Sequence, residues 1–179
     1  MINIEKRRSK KNNLGKIDRQ KIDKFWLFGF HAVEAALANK NRKIFRLLAT
    51  KNALNKLGKL IKFSNFTITI AKTPDFLKYL DEKSVHQGLA LEVEPLDWGS
   101  LDDLFSNNDT EGKIIVLDKV KDPQNVGAII RSAEVLGGLA VIGSNHHCAK
   151  ETGGLVKAAS GAFERVPYIS VTNISRSIE

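Results

Sequence analysis

The sequence predicts an α/β protein in which a small mixed domain precedes a parallel-sheet unit. Short apolar runs alternate with stretches whose apolar residues recur at helical spacing, a pattern typical of layered α/β structures. A polar cluster, SNNDTEG at residues 106–112, divides this alternation into two parts. We therefore expect a basic tail at residues 1–24, a first domain at 25–95, a linker at 96–112 and a second unit at 113–179.

The first domain is predicted from four short apolar runs separated by helical patterns. The predicted strands are Phe25–Phe28, Ile44–Ala49, Phe66–Ile70 and Leu89–Val93, and the predicted helices are His31–Asn39, Ala53–Phe63 and Pro74–Leu80. Trp26 and the linker residue Trp98 are expected to pack in cores, because large aromatic side chains usually do. The linker is expected to contain a short helix around Leu101–Phe105.

The second unit has a β-α-β-α-β order, which predicts parallel strands because each crossover helix returns the chain to the same edge. Its predicted elements are strand Ile114–Leu117, helix Pro123–Leu136, strand Leu139–Ile142, helix Gly154–Gly161, strand Val166–Val171 and a last helix that begins near Asn173.

Positive charge is concentrated at the N-terminus. The net charge is +8, and residues 1–24 carry nine Lys or Arg against three acidic residues. This segment lacks apolar periodicity and is predicted to be disordered. A basic arm of this kind can bind RNA phosphates without reading sequence, and the candidate contacts are Lys6, Arg7, Arg8, Lys10 and Lys11. The alternative is a tail that only increases solubility.

Composition limits the compartment and the class of protein. No apolar run approaches the roughly 20 residues of a membrane helix, and the N-terminus lacks the apolar core of a signal peptide. Cys148 is the single cysteine, so an internal disulfide is excluded and a reducing compartment is favoured. These observations predict a cytoplasmic protein without a membrane partner. No metal site is predicted, because adjacent residues such as His146, His147 and Cys148 cannot easily face one ion.

The segment DKVKDPQNVGAIIRSAEVLGG, residues 118–138, predicts a ligand site where a strand leads into a helix. Asp122 suits the N-cap and Pro123 the first helical position. Gly127 and Arg131 are four residues apart and share a face, so a substrate or partner backbone could lie against Gly127 beside Arg131. Asn125 lies in the first turn. The residues expected to face inward are Val126, Ile129, Ile130, Ala133 and Leu136.

The pattern Asn-x-Gly-x-x-x-Arg in this segment resembles the first signature motif of the SPOUT (SpoU–TrmH) RNA 2′-O-ribose methyltransferases. KAASGAFERVPY, residues 157–168, is similar to their second motif. FGFHAVEAALAN at 28–39 and HQGLALEVEPL at 86–96 resemble the start and end of their N-terminal RNA-binding domain. The resemblance covers roughly Phe25 to Glu179 and implies a SPOUT domain of the trefoil-knot type.

This resemblance implies methyl transfer from S-adenosylmethionine to a ribose of tRNA or rRNA, in a homodimer with active sites at its interface. It assigns catalysis to Arg131, Asn125 and Glu164, and RNA contact to Gly127 and Arg131. Ser160 and Gly161 are the candidate cofactor contacts. A third motif, with a Gly-x-Glu-x-x-Gly loop and a late Ser-Leu-Asn-Val-Ser segment, is not found. In the family that part forms the knotted half of the donor pocket, so a truncated and inactive chain is expected.

Ordinary structural explanations remain open for the same residues. Arg131 could form an ion pair with Glu134, and Glu164 could be an exposed charge paired with Arg165 or Lys157. Asn125 could be a simple helix-start residue, and the small residues at 158–162 could serve close packing alone. At the level of function, the alternatives are a non-catalytic RNA-binding protein and a small α/β domain with a structural role only.

Overall fold

The computed structural model describes residues 23–61, 65–106 and 112–178. Its N-terminal half contains a four-stranded sheet with the order β1-β4-β2-β3. The strands are β1 Phe25–Phe28, β2 Ile44–Ala49, β3 Thr67–Ile70 and β4 Leu89–Val93. β4 lies antiparallel between β1 and β2, whereas β3 pairs parallel with β2 at the edge. The predicted mixed α/β arrangement of this half is confirmed.

Short helices cover this sheet. They are α1 Phe30–Ala38 and α2 Lys51–Leu57, with 3₁₀ turns at Gly58–Ile61 and Thr73–Lys78. Thr50 begins α2 by accepting a hydrogen bond from the Ala53 amide at 3.3 Å. The predicted helix at Pro74–Leu80 is a 3₁₀ turn instead, and its first turn is held by the Asp75 carboxylate, which accepts the Lys72 amide at 2.9 Å. A segment this short gains little from α-helical cooperativity.

The C-terminal half contains a second, three-stranded sheet, and its strands are parallel as predicted, in the order β5-β6-β7. Its elements are α3 Leu101–Ser106, β5 Lys113–Leu117, α4 Pro123–Val135, β6 Gly138–Ser144, α5 Gly153–Ala158, a 3₁₀ turn at Ala162–Glu164, β7 Tyr168–Val171 and α6 Ile174–Ile178. α5 ends earlier than predicted because Ser160 and Gly161 take the left-handed conformation, with φ of 51° and 92°.

One hydrophobic core joins the two sheets. It includes Leu27 and Leu91 from the first sheet together with Val126, Leu155 and Phe163 from the second half. α5 packs directly on β1, and Gly153 makes this approach possible, since a Cβ there would overlap the Trp26 carbonyl oxygen. Leu136, expected in the core, is 74% exposed, because it lies at the C-cap of α4 beyond the buried stripe.

Within the described residues, no helix combines the length and the apolar character that crossing a membrane requires.

Candidate active site on helix α4

The start of α4 is built as the local sequence predicts. The Asp122 carboxylate accepts a hydrogen bond from the Gln124 amide at 3.0 Å, and Pro123 occupies the first turn. The preceding loop leaves β5 through Lys119, whose φ of 58° is uncommon for a residue with a side chain. α4 therefore begins at the carboxyl edge of the parallel sheet, the edge at which open α/β sheets bind ligands.

Arg131 and Asn125 both lie on the solvent-exposed surface of α4. Glu134, the expected partner of Arg131, is bound instead by Arg165, which donates to both carboxylate oxygens, one of them from Nη2 at 3.2 Å. The hydrogen bond to Glu134 raises the pKa of Arg165. Within the described part of the chain, neither the Arg131 nor the Asn125 side chain has a hydrogen-bonding or ionic partner. The Arg131–Glu134 alternative is therefore wrong, and the guanidinium is free to meet a ligand.

Gly127 has a different role from the one predicted. It is buried, and a Cβ at this position would lie 2.5 Å from the Leu155 carbonyl oxygen and 2.6 Å from the Ala158 Cβ. The glycine lets α4 and α5 pack with their backbones close together, so the space expected for a substrate or partner backbone is filled by α5. Close helix packing accounts for this glycine, and the structure gives the predicted RNA contact no support.

Glu164 is not a surface charge. It is only 6% exposed, and its carboxylate receives two hydrogen bonds from Arg42, from Nη2 at 2.5 Å and from Nε at 3.2 Å. Asn39 donates a third at 2.8 Å. Both predicted partners, Arg165 and Lys157, are therefore wrong. With its oxygens occupied by Arg42 and Asn39, which precede β2, this carboxylate joins the two halves of the chain and is not available to a substrate.

Arg42 also binds a second buried carboxylate. Its Nη1 donates to Glu151 Oε1 at 2.6 Å and to the Glu94 carbonyl oxygen at 2.9 Å. Glu151 accepts the Leu96 amide at 2.8 Å through its other oxygen. Burial raises the pKa of Glu151 in spite of the neighbouring guanidinium. Sequence reasoning missed Arg42, because its neighbours in NKNRK are polar and nothing local distinguishes a buried arginine from a surface one.

Ser160 and Gly161 form the turn after α5. Ser160 is exposed, whereas Gly161 is buried against α1, where a Cβ would lie 3.1 Å from the Ala35 Cβ. Packing and the left-handed backbone account for this glycine without a ligand. The structure therefore gives the cofactor assignment of these two residues no support.

The remaining residues singled out from the sequence are those of the basic tail and the residues considered for a metal site. Lys6, Arg7, Arg8, Lys10 and Lys11 lie outside the described residues. Cys148 donates from Sγ to the Leu117 carbonyl oxygen at 3.3 Å, which accounts for its position. In the described ranges there is no group of three or more His, Cys, Asp or Glu side chains placed to hold a metal ion.

Two sequence-family models match the chain, one on each half. Residues 112–179 match the SpoU rRNA Methylase family, and residues 26–98 match the RNA 2′-O ribose methyltransferase substrate-binding family. The 23S rRNA (guanosine-2′-O-)-methyltransferase RlmB of Escherichia coli K12 is 36% identical over 169 residues, and that of Coxiella burnetii is 34% identical over 160 residues. Each half of the chain is therefore similar to part of the SpoU-type RNA methyltransferases.

The likeness extends to solved structures. The SpoU methyltransferase AviRb of Streptomyces viridochromogenes, solved in complex with AdoMet, superposes with a TM-score of 0.68 at 25% identity, over 92% of this chain and 62% of that one. The alignments with the two RlmB proteins cover 85–86% of this chain. This chain spans 63–65% of the length of those relatives.

Proposed function

We propose that this chain belongs to an S-adenosylmethionine-dependent RNA 2′-O-ribose methyltransferase that acts on rRNA or tRNA, and that Arg131 and Asn125 form the ribose side of its active site. One observation carries the proposal. The two polar residues of the Asn-x-Gly-x-x-x-Arg motif are exposed on α4 at the carboxyl edge of the parallel sheet, and neither has a protein partner among the residues that the structure describes.

Arg131 is suited to hold RNA and to stabilise charge. A guanidinium offers planar, paired donors that match a phosphate or a developing oxyanion, and it keeps its proton at neutral pH. It therefore positions the ribose and favours ionisation of the 2′-hydroxyl, while the proton leaves to another acceptor such as a substrate phosphate. Asn125, in the first turn of the same helix, offers an amide that can orient the sugar.

S-adenosylmethionine would supply the methyl group. The cavity at the carboxyl ends of β6 and β7 is lined by Ser144, Asn145 and Ser170, but its volume is only about 230 Å³. Sites that enclose a ligand of this size usually measure roughly 300–1,000 Å³. This cavity is therefore too small to enclose the whole cofactor, and no catalytic step is assigned through the cofactor.

The test is methyl transfer from tritiated S-adenosylmethionine to 23S rRNA and tRNA transcripts. It is run on the 179-residue chain and on a chimaera that adds the part of E. coli RlmB left unmatched by this chain. We expect a ribose 2′-O-methyl product from the chimaera and, as the missing third motif suggests, none from the 179 residues alone. In the chimaera, Arg131→Ala should lower the rate at least about 100-fold, whereas Lys56→Ala, which removes an exposed cation from α2, should not.

Three outcomes decide the assignment. Base methylation in place of ribose methylation would overturn the reaction type. Full activity of the Arg131→Ala chimaera would overturn the site. RNA binding without donor binding by either protein would favour the alternative of a non-catalytic RNA-binding protein.

We also propose that the protein works as a cytoplasmic homodimer. The outer side of α4 supports an interface, since Val135 and Leu136 are 79% and 74% exposed beside an apolar cavity of about 330 Å³ that Ile115 and Ile129 help to line. The cytoplasm is where rRNA, the substrate named for the relatives, would be met. Sedimentation of the parent and of Leu136→Lys tests the interface, and a monomeric parent would contradict it.

A further inference from the structure

The outward face of the N-terminal sheet has an aromatic pair with a cation beside it. Trp26 on β1 and Arg46 on β2 both lie opposite Glu92 on β4, so the three side chains form a row across the sheet. Tyr79, just after the second 3₁₀ turn, lies over this row with its ring centroid 4.7 Å from that of Trp26. Trp26 is half-buried and packs, as expected, against a hydrophobic core cluster that includes Leu48 and Phe76.

Arg46 holds the cluster together. Its guanidinium carbon lies 4.9 Å from the Trp26 ring and 4.8 Å from the Tyr79 ring. It donates from Nη1 to the Tyr79 hydroxyl at 3.3 Å, and its Nε lies 3.3 Å from the Glu92 carboxylate. The two rings are therefore set in place before any ligand arrives, and Tyr79 remains 37% exposed.

An open cleft of about 610 Å³ lies between this aromatic cluster and α5. Trp26, Phe28 and Tyr79 line it on one side and the Gly153–Gly154 backbone on the other. Lys157 of α5 holds its ammonium 5.5 Å from the Phe28 ring centroid. The cleft is also lined by Lys78 and Asp81, which carry opposite charges, so it presents aromatic faces rather than a dense positive charge.

One end of the cleft adjoins the helix that carries Arg131. A Cβ on Gly154 would lie 3.7 Å from Gln124 Nε2, so the glycine end of the cleft adjoins the first turn of α4. Gln124 and Arg131 are seven residues, about two turns, apart on α4, and α5 covers Gly127 between them. Arg131 lies about 10 Å further along that helix, since seven residues rise 1.5 Å each.

We propose that this cleft binds an unpaired nucleotide that flanks the ribose held at Arg131. Its base stacks on Tyr79 and the edge of Trp26, and its phosphate lies near Lys157. Aromatic faces beside cations are how proteins bind unpaired nucleotides with little sequence preference. The proposal rests on the proposed function, because it assumes that the bound RNA is the methylation substrate.

The test is a fluorescence titration of the full chain with an unmethylated single-stranded RNA oligonucleotide, and it requires no methyl donor. Trp98→Phe leaves Trp26 as the one tryptophan of the chain. We expect RNA to quench Trp26 emission. Tyr79→Ala should weaken binding by about 5-fold or more, the loss of one base–aromatic stack, whereas Tyr79→Phe should restore affinity to within about 2-fold.

Two further variants separate the effect of base stacking on RNA binding from effects of charge and of misfolding. Lys157→Met keeps the aliphatic stem and removes the ammonium, so it should weaken binding and reduce its salt dependence. Val85→Ala, at a residue 62% exposed and outside the cleft, should bind RNA as the parent does. Circular dichroism checks that each variant is folded.

The outcomes separate failure of the proposed nucleotide site from failure of the proposed methyltransferase function. If RNA binds without quenching Trp26, and Tyr79→Ala and Lys157→Met both bind RNA like the parent, the proposal that the cleft binds a nucleotide is refuted. This holds even if the chimaera methylates RNA. If these variants lose affinity as expected but no methyl transfer is found, the cleft stands as an RNA site and the proposed function fails.

Discussion

Replacing Arg42 by Met should remove the electrostatic link between the two halves of the chain. The Arg42 side chain is fully buried, and it pairs with Glu164 and Glu151, whose side chains are 1% and 8% exposed. Breaking a buried ion pair by removing one partner costs about 3–5 kcal/mol, because a charge is left without a partner. Here two carboxylates lose their cation, but either can take up a proton. We therefore expect a loss of about 4 kcal/mol at neutral pH.

The assay is urea unfolding followed by circular dichroism at pH 7.5 and pH 5. The Arg42→Met midpoint should fall steeply at pH 7.5 and less at pH 5, because protonation of the two carboxylates relieves their repulsion at the lower pH. Lys43→Met is the matched control. Lys43 is adjacent in sequence and lies 3.0 Å from Glu94, but its side chain is 75% exposed, so little change is expected.

A second substitution tests the cause. Glu164→Gln in the Arg42→Met background removes one of the two stranded charges, and it should recover part of the lost stability. The reasoning fails if Arg42→Met unfolds at the parental urea concentration at pH 7.5, or if its loss of stability is the same at both pH values.

Three further predictions concern buried groups around the site. Burial raises the pKa of Glu151, so the stabilisation linked to its proton is present below the ordinary pKa of a glutamate and is lost as pH rises through the folded-state pKa. The Glu151→Gln variant should therefore gain stability relative to the parent as pH rises from 4 to 8. A difference in thermal midpoint that does not change with pH would contradict this. Gly127→Ala should lower the free energy of unfolding by about 1–3 kcal/mol in urea titrations, because the new methyl group overlaps the Leu155 carbonyl oxygen. A stabilised variant would show that α5 moves away at little cost. Burial raises the pKa of Tyr168 to about 12, and its hydroxyl donates to the Ala149 carbonyl at 2.8 Å. Tyr168→Phe should lower the free energy of unfolding by about 1 kcal/mol at neutral pH and should remove the tyrosine ionisation step near pH 12 from the absorbance titration. If that step remains in the variant, it belongs to another residue.

Strand positions were largely predictable from local sequence. The bounds of Phe25–Phe28, Ile44–Ala49 and Leu89–Val93 agree with the structure, because each is a short apolar run that ends at polar or glycine residues. The start of α4 was equally local, since an N-cap and a first-turn proline act within one turn. Helix ends were less predictable, as the early end of α5 at a left-handed Ser160 shows.

Partners of charged residues were not predictable. Arg131 and Glu164 both follow from the motifs, yet one is exposed without a protein partner among the described residues and the other is buried against Arg42. The two residues differ because packing of the core buries the surface around Glu164 and leaves the surface around Arg131 exposed. The residue that binds Glu164 is 122 positions away in the sequence, so no local pattern could reveal it.

The sequence by itself determined the order of strands and helices, the parallel second sheet, the cap of α4 and the motif that carries Arg131, because periodicity, capping and turn chemistry act over a few residues. Only the tertiary structure decided that Gly127 serves helix packing, that Glu164 joins the two halves, and that Trp26, Arg46 and Tyr79 meet beside α5. These are contacts between distant segments, and their existence depends on how the two sheets share one core.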